Sequence, residues 1–263
     1  MIINLIIYII SILILNFIIF KTDFLKSHSG FVHQKFLNHS VPLSGGIFLL
    51  LPIFLFFYSL YPLMFFSFFL LFILGLLSDL NVLATAKYRF LIQFIIISLF
   101  VFWTKLEVLP SRIEYIDNNF QNTFYSYFFT VFCLMVLING SNFIDGLNGL
   151  FLGHNIIILL ILIKLDLLQT IGLSNENFSF LIIILIFLLI LNFTNRLFMG
   201  DGGAYSLSFL IGFILIMIYS KNQIISPYFI IILLWYPCFE NLFSIIRKFL
   251  INKDPMKPDN DHL

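Results

Sequence analysis

Apolar runs close to the length of a bilayer crossing follow one another from end to end of this chain, separated by short polar breaks. A membrane-spanning helix needs about 20 predominantly apolar residues, and that requirement governs everything else the chain can do. Of 263 residues, 61% are hydrophobic and only 10% charged, with a mean hydropathy of +1.06; an ordinary soluble domain carries roughly 25% charged residues. A buried soluble core does not account for runs of this length and number. Candidate spans fall near 2–20, 45–60, 62–77, 89–104, 124–138, 150–165, 178–192, 204–220 and 226–246. The expectation is an all-α polytopic membrane protein of about 9–11 transmembrane helices, a single integral domain over 1–263 in contact with the lipid bilayer. The run Ile2 to Phe20 lacks a preceding basic residue and a following small-residue cleavage site, so it reads as a retained helix. Pro62 suits the first turn of its helix, and Pro237 is expected to kink the last span.

Charge and cysteine usage exclude other classes. A net charge of +1 offers no basic face for nucleic acid. Cys133 and Cys238 sit in apolar runs, where buried free thiols are the ordinary state, and two cysteines make neither a disulfide framework nor a zinc cluster. Alternating the loops across the membrane puts 21–44, 78–88, 139–149, 193–203 and the tail from 247 on one side. That side, with Arg89 at its edge, holds ten of the 14 basic residues, leaving Lys105, Arg112, Lys164 and Lys221 opposite. The positive-inside rule makes it cytoplasmic.

Three polar interruptions on that same side each carry an aspartate: Gly75 to Asp79, Asn139 to Gly149, and Phe198 to Gly203. Carboxylates at membrane depth are costly, at least about 2.5–3.5 kcal/mol at a bilayer centre, and so face a cavity, a metal or a partner. Asp79 stands at a helix end, followed by Lys87, Arg89 and, one turn on, Gln93: a basic pair able to meet a phosphate, or a plain interfacial terminus. In Asn139-Gly-Ser-Asn142-Phe-Ile-Asp145-Gly-Leu-Asn148-Gly149, small residues free backbone N–H groups for an anion, and amide and carboxylate oxygens suit a hard cation. The simpler alternative is a Gly/Asn turn between helices. Asp201, between Gly200 and Gly202-Gly203, opens a helix; there it either holds a cation beside a bound phosphate or simply caps the helix. His33 and Lys35, leading to Pro42 and Gly45-Gly46, offer a phosphate contact or a solvated loop. The polar tail runs from Arg247 to His262, and His154, inside an apolar run, reads as a packing or hydrogen-bonded residue.

Taken in order, these strings resemble the polyprenyl-phosphate N-acetylhexosamine-1-phosphate transferases, the family of bacterial undecaprenyl-phosphate N-acetylglucosamine-1-phosphate transferase and phospho-N-acetylmuramoyl-pentapeptide transferase. The elements are His33 to Gly46, Gly75 to Asp79, Asn139 to Gly149, Asn192 to Gly203 and Arg247 to His262. The resemblance implies an enzyme of the bacterial inner (plasma) membrane, its site cytoplasmic, that moves a sugar phosphate from a UDP-N-acetylhexosamine to undecaprenyl phosphate and releases UMP. It would thereby start a cell-envelope polysaccharide or O-antigen. Mg2+ is the implied cofactor, with Mn2+ as the alternative. Asp201 is the first-choice metal ligand, with Asp145 and Asp79 also in the metal and catalytic set; Asp79 would orient or deprotonate the carrier phosphate. Asn142 and Asp145 would line the nucleotide-sugar pocket. Lys87, Arg89 and His262 would contact phosphates, and His33, Lys35, Asn139, Asn148, Asn192 and Arg247 complete the substrate-binding set. A homodimer is the assembly the resemblance suggests.

Four features depart from the family pattern. Ser78 stands where an aspartate is usual, Asn148 replaces a later aspartate, Glu240 replaces another, and the chain given stops at Leu263 where relatives commonly continue. Truncation at the C-terminus is one reading of that last feature. Two other functional classes remain at this stage: an inactive family member acting as a scaffold, and a cation-coupled transporter, which would need carboxylates near the midplane on broken helices.

Overall fold

The structure, a computed structural model, describes residues 2–22, 25, 40–108, 110–119, 122–222 and 224–250. The regular structure among those residues is all helical, without a β-strand: α1 Ile2–Lys21, α2 Ile47–Phe57, α3 Pro62–Asp79, α4 Ala86–Thr104, α5 Glu114–Asn119, α6 Thr123–Ile144, α7 Leu150–Lys164, a 3-10 turn Leu167–Ile171, α8 Asn175–Phe193, α9 Gly200–Lys221 and α10 Pro227–Leu250. The nine apolar runs of the sequence are nine helices; α5 is a short addition in a connecting segment. Seven of the nine are long and apolar enough to cross a membrane. The other two, α2 with 11 residues and α7 with 15, reach about 16 and 22 Å at 1.5 Å per residue, short of a roughly 30 Å hydrocarbon core.

Local chemistry sets the boundaries. Pro62 occupies the first turn of α3, where its missing N–H costs nothing. The Asn122 and Ser174 side chains accept from Phe124 N and Asn177 N and cap α6 and α8. One boundary differs from the sequence expectation: α6 continues through Asn139–Ile144, which the sequence reads as loop. Gly140 explains the difference, because its bare Cα lies against the Pro237 carbonyl of α10, so close packing outweighs the poor helix propensity of Gly, Ser and Asn.

The core is built around α9, buried almost end to end and packed on α2, α3, α6 and the 3-10 turn. Helices in lipid gain no hydrophobic drive from one another, so close backbone approach at small residues replaces it. At the loop end of α9 a Cβ on Gly46 would stand 2.5 Å from Gly203 N, and one on Gly75 would run into the Gly202 backbone. By contrast α1 is peripheral, exposing Ile3, Ile7, Ile14 and Phe17, as a lipid-facing helix does.

Two prolines sit inside helices, and each removes the hydrogen bond to the carbonyl four residues earlier. Both orphaned carbonyls are answered from another helix. Pro52 frees Phe48 O, which accepts from the Tyr8 hydroxyl of α1 at 2.6 Å. Pro237 frees Leu233 O, which meets His154 Nε2 of α7 at 2.9 Å. Where no water reaches, such replies are what make an in-helix proline tolerable, and they give His154 the hydrogen-bonded role its apolar setting suggests.

The loops separate to two ends of the bundle as strict alternation requires. At one end Phe198 N donates to Pro42 O at 2.9 Å and Asn16 Nδ2 to Arg196 O at 3.0 Å. At the other, Tyr61 OH donates to Ile171 O at 2.5 Å and Arg112 to Ile225 O at 3.0 Å.

Candidate functional site

The three aspartates sit at helix ends on the same side of the bundle. Asp79 is the last residue of α3, Asp145 immediately follows α6, and Asp201 is the second residue of α9. None is in mid-helix.

At the α3/α9 junction both oxygens of Asp79 and one of Asp201 have named partners. The Asp79 carboxylate accepts from Asp201 N at 2.9 Å and from Gly202 N at 3.2 Å, satisfying two of the four N–H groups that open α9 without intrahelical partners. Asp79 is therefore the cap of α9, supplied by another helix, and Asp201 is released from that task. Negative charge at a helix N-terminus is also favoured by the helix dipole. The contact requires glycine at 200, whose φ is +70° and whose Cβ would stand 2.6 Å from Asp79 Oδ2.

Asp201 faces the other way. Its Oδ2 receives the Ser78 hydroxyl at 2.5 Å, the Arg89 guanidinium at 2.6 Å and the Tyr205 hydroxyl at 3.4 Å. Arg89 also donates to Ser78 Oγ. Ser78, which reads in the sequence as a lost carboxylate, is thus the neutral bridge between the Arg89 guanidinium and the aspartate. Asp201 Oδ1 has no hydrogen bond among the described residues. The segment 42–46 docks alongside, with Gly45 N and Gly46 N donating to Phe198 O and Met199 O at 3.0 and 3.2 Å.

Asp145 lies in a different setting. It is half-buried, and its carboxylate makes no hydrogen bond or ion pair among the described residues. Burial, and then the charge of Asp201, push its carboxyl up to about 8. Two carboxylates that feel each other, one unpaired and the other with a free oxygen, form an all-oxygen donor set that fits a hard divalent cation. Among the described residues no three His, Cys, Asp or Glu side chains gather into a metal cage. Mg2+ does not require one, since it is commonly held by one or two carboxylates with substrate phosphates and water completing the shell.

Several of the other expected residues have assignments of their own. Asn139 Nδ2 donates to Gln93 Oε1 at 3.1 Å and to Met135 O at 2.8 Å, linking α6 to α4. Asn192 accepts from Gly149 N at 2.6 Å and donates to Leu197 O at 3.3 Å, and Asn148 donates to Asn195 at 2.6 Å. These two amides hold the 145–149 and 194–199 turns together, a structural task within the site. Asn142 lies in the last turn of α6, Lys87 is exposed in the first turn of α4, and Arg247 is in the last turn of α10. His33, Lys35 and His262 lie outside the described residues. Ser78 and Tyr205 belong to the site without having been singled out as members of it. Tyr205 stands four residues after Asp201, the helical spacing that brings two side chains together.

Comparison with known proteins bears on this arrangement. Residues 61–219, from the start of α3 to the end of α9, match Glycosyl transferase family 4. A Bacillus subtilis protein named "Probable undecaprenyl-phosphate N-acetylglucosaminyl 1-phosphate transferase" is 30% identical over 199 residues, 72% of this chain and 53% of its own length. The Thermotoga maritima undecaprenyl-phosphate alpha-N-acetylglucosaminyl 1-phosphate transferase is 26% identical over 243 residues, 92% of this chain and 72% of its own. The chain thus spans about half the length of the first relative. It belongs to glycosyl transferase family 4, the polyprenyl-phosphate sugar-1-phosphate transferase family that its motifs resemble.

Proposed function

We propose that the protein transfers an N-acetylhexosamine 1-phosphate from a UDP-sugar to undecaprenyl phosphate, at the cytoplasmic face of a bacterial plasma membrane. The observation that carries the reading is the meeting of Asp79, Ser78, Arg89 and Asp201 at one end of the bundle, with Asp145 within electrostatic reach of Asp201. The names of the two relatives support the carrier and the sugar class, and the excess of basic residues on that side supports its cytoplasmic orientation.

In the reaction an oxygen of the carrier phosphate attacks the β-phosphorus of the UDP-sugar. A new P–O bond forms as the bond to the bridging oxygen breaks, and UMP leaves with the electron pair. A phosphate monoester has its second pKa near 6, so the nucleophile is already largely dianionic at pH 7 and needs no strong base. What remains for the protein is alignment and neutralisation of charge. Arg89 offers its guanidinium to phosphoryl oxygens and is held ready by Ser78 and Asp201. Asp79 positions rather than reacts, since both its oxygens fix the first turn of α9 on which Asp201 rides. Asp201 and Asp145 are the residues that would hold Mg2+, which when bound supplies neutralisation of the pyrophosphate charge. The reaction would start a lipid-linked envelope polysaccharide.

Membranes carrying the full chain, given undecaprenyl phosphate, Mg2+ and a panel of UDP-N-acetylhexosamines, should release UMP and form a lipid-linked sugar. Asp201→Asn should lower that rate by about 100-fold or more, the usual scale for losing one electrostatic contact to a transition state. Absence of UMP from a folded wild-type protein across the whole panel would overturn the reading in favour of an inactive scaffold.

A further inference from the structure

On Arg89 itself and one turn further along α4, at Gln93, are two buried donor groups without an acceptor among the described residues. Gln93 is fully buried and its Nε2 has no hydrogen-bond partner among the described residues; the buried Nε of Arg89, one turn earlier, has none among them either. Residues four apart lie on one helix face with Cβ atoms about 6 Å apart. That face looks inward, since Arg89 reaches Ser78 of α3 and Asp201 of α9, while Gln93 reaches Asn139 of α6.

The orientation of the Gln93 amide is fixed by its neighbours. Asn139 Nδ2 donates to Met135 O, and a backbone carbonyl can only accept. The same Nδ2 meets Gln93, so the atom of Gln93 facing it is the oxygen. Nε2 and its two hydrogens must then point elsewhere. A buried amide donor left unmatched is costly, and native folds leave few of them. A water could accept from both groups, but would bring two hydrogens needing acceptors of their own. A phosphoryl oxygen only accepts, and carries the charge an arginine N–H favours.

We propose that Gln93 Nε2 and Arg89 Nε form an oxyanion subsite that binds and orients the phosphate monoester of the lipid carrier, making Gln93 a substrate-positioning residue. This rests on the transferase reading for its ligand. Depth favours the lipid over the nucleotide: Gln93 is one turn, about 6 Å, further from the loop end of α4 than Arg89. A ligand anchored in the bilayer by its own tail reaches that level more readily than a soluble nucleotide sugar.

The test uses the purified full chain in detergent and two variants. Gln93→Glu keeps the oxygen that accepts from Asn139 and replaces the free donor with an acceptor. Gln93→Leu removes the polar group from a buried position. Binding of a polyprenyl phosphate, the matching prenyl alcohol, inorganic phosphate and UDP-N-acetylglucosamine is measured for each, beside thermal melting as a folding check. Both variants should weaken the polyprenyl phosphate by about tenfold or more, the Glu variant further, while the alcohol and the UDP-sugar bind as in wild type. In turnover, KM for the carrier should rise while KM for the UDP-sugar holds. Equal competition by inorganic phosphate would support the phosphoryl subsite and assign it to the free anion. Unchanged carrier binding in both folded variants, or weakening of the UDP-sugar instead, would overturn the proposal. Carrier binding through Gln93 in a chain that releases no UMP would sink the transferase reading and leave the subsite standing.

Discussion

The α3/α9 junction and the turn after α6 lie at the same end of the bundle and both present aspartates, yet their chemistry is opposite. At the junction Asp79 has both oxygens occupied by the first N–H groups of α9, and Asp201 Oδ2 has three donors. After α6, Asp145 has no hydrogen bond among the described residues to lower the cost of its burial, and Asp201 raises that cost further. In one region the protein itself supplies the partners of Asp79 and of one Asp201 oxygen; in the other the carboxylate is matched only by a proton or a cation. Stability and function should therefore separate between them, the first costing both when altered and the second costing function alone.

The largest effect is expected where backbone meets backbone. Gly75→Ala puts a Cβ into the Gly202 backbone, which has no rotamer with which to yield. The loss should exceed the about 1–3 kcal/mol of ordinary overpacking and appear as failure to recover monodisperse protein in detergent. A well-folded Gly75→Ala protein would mean the two helices can part, and the junction would no longer count as self-completed.

Next comes Asp79→Asn. The amide keeps one oxygen for α9 but loses the charge and one of the two bonds, so a cost of about 2 kcal/mol is expected as a lower melting temperature. Activity should fall with it, because Asp201 is carried on the turn that loosens. An inactive variant with an unchanged melting temperature would give Asp79 a direct chemical role instead.

Asp145→Asn should act with the opposite sign. Above about pH 8, where the folded carboxyl is ionised, removing an unpaired charge beside Asp201 should raise the melting temperature by roughly 2–4 °C in the absence of divalent cations, about 1 kcal/mol for a chain of this size. Transferase activity should be lost all the same. The pH dependence follows from the direction of the shift. With a folded-state value of about 8 against the ordinary carboxyl value of 3.8, the folded protein holds this proton more tightly than the unfolded chain. Stability should then decline as pH rises from about 4 to about 8, and the variant should flatten that stretch of the curve. A wild type whose melting temperature is level across it would show that Asp145 is already compensated.

Much of this end of the molecule can be read in the chain itself. Asp79, Asp145 and Asp201 are conspicuous because carboxylates in so apolar a sequence need a reason, and alternation of the spans places them together. What escapes is division of labour among neighbours. In sequence Asp201 reads as a cap of its own helix or as a metal ligand, and only the packing of Gly75 and Gly46 on α9 brings Asp79 in as the cap and leaves Asp201 to face Arg89. Ser78 reads as a deficit until Arg89 and Asp201 are seen on either side of it. Asn192 and Asn148 read as ligands for substrate, and the hydrogen bonds they also make to Gly149 and Asn195 are ones that sequence distance conceals. The end of α6 reads as loop because Gly140 is a poor helix former, and its tertiary reason, the Pro237 carbonyl, lies on another helix.

The same blindness to distant partners hides the proline replies, which supply the smallest prediction and the control for the rest. Tyr8 and Phe48 are 40 residues apart and His154 and Leu233 are 79, so nothing local links either donor to its orphaned carbonyl. Tyr8→Phe removes the hydroxyl and little else. In lipid such an interhelical bond is worth about 0.6 kcal/mol on average, because a helix deprived of one partner finds another or is relieved by local adjustment. The melting temperature should drop by no more than about 2 °C, and UMP release per folded molecule should match wild type, since Tyr8 and Phe48 are not among the groups that meet at Asp201. His154→Leu should behave alike on α10. If either variant lost activity while keeping its melting temperature, motion of α2 or α10 would have to reach the site. The contrast between a rigid junction and an open turn would then depend on the whole bundle rather than on the few residues that form it.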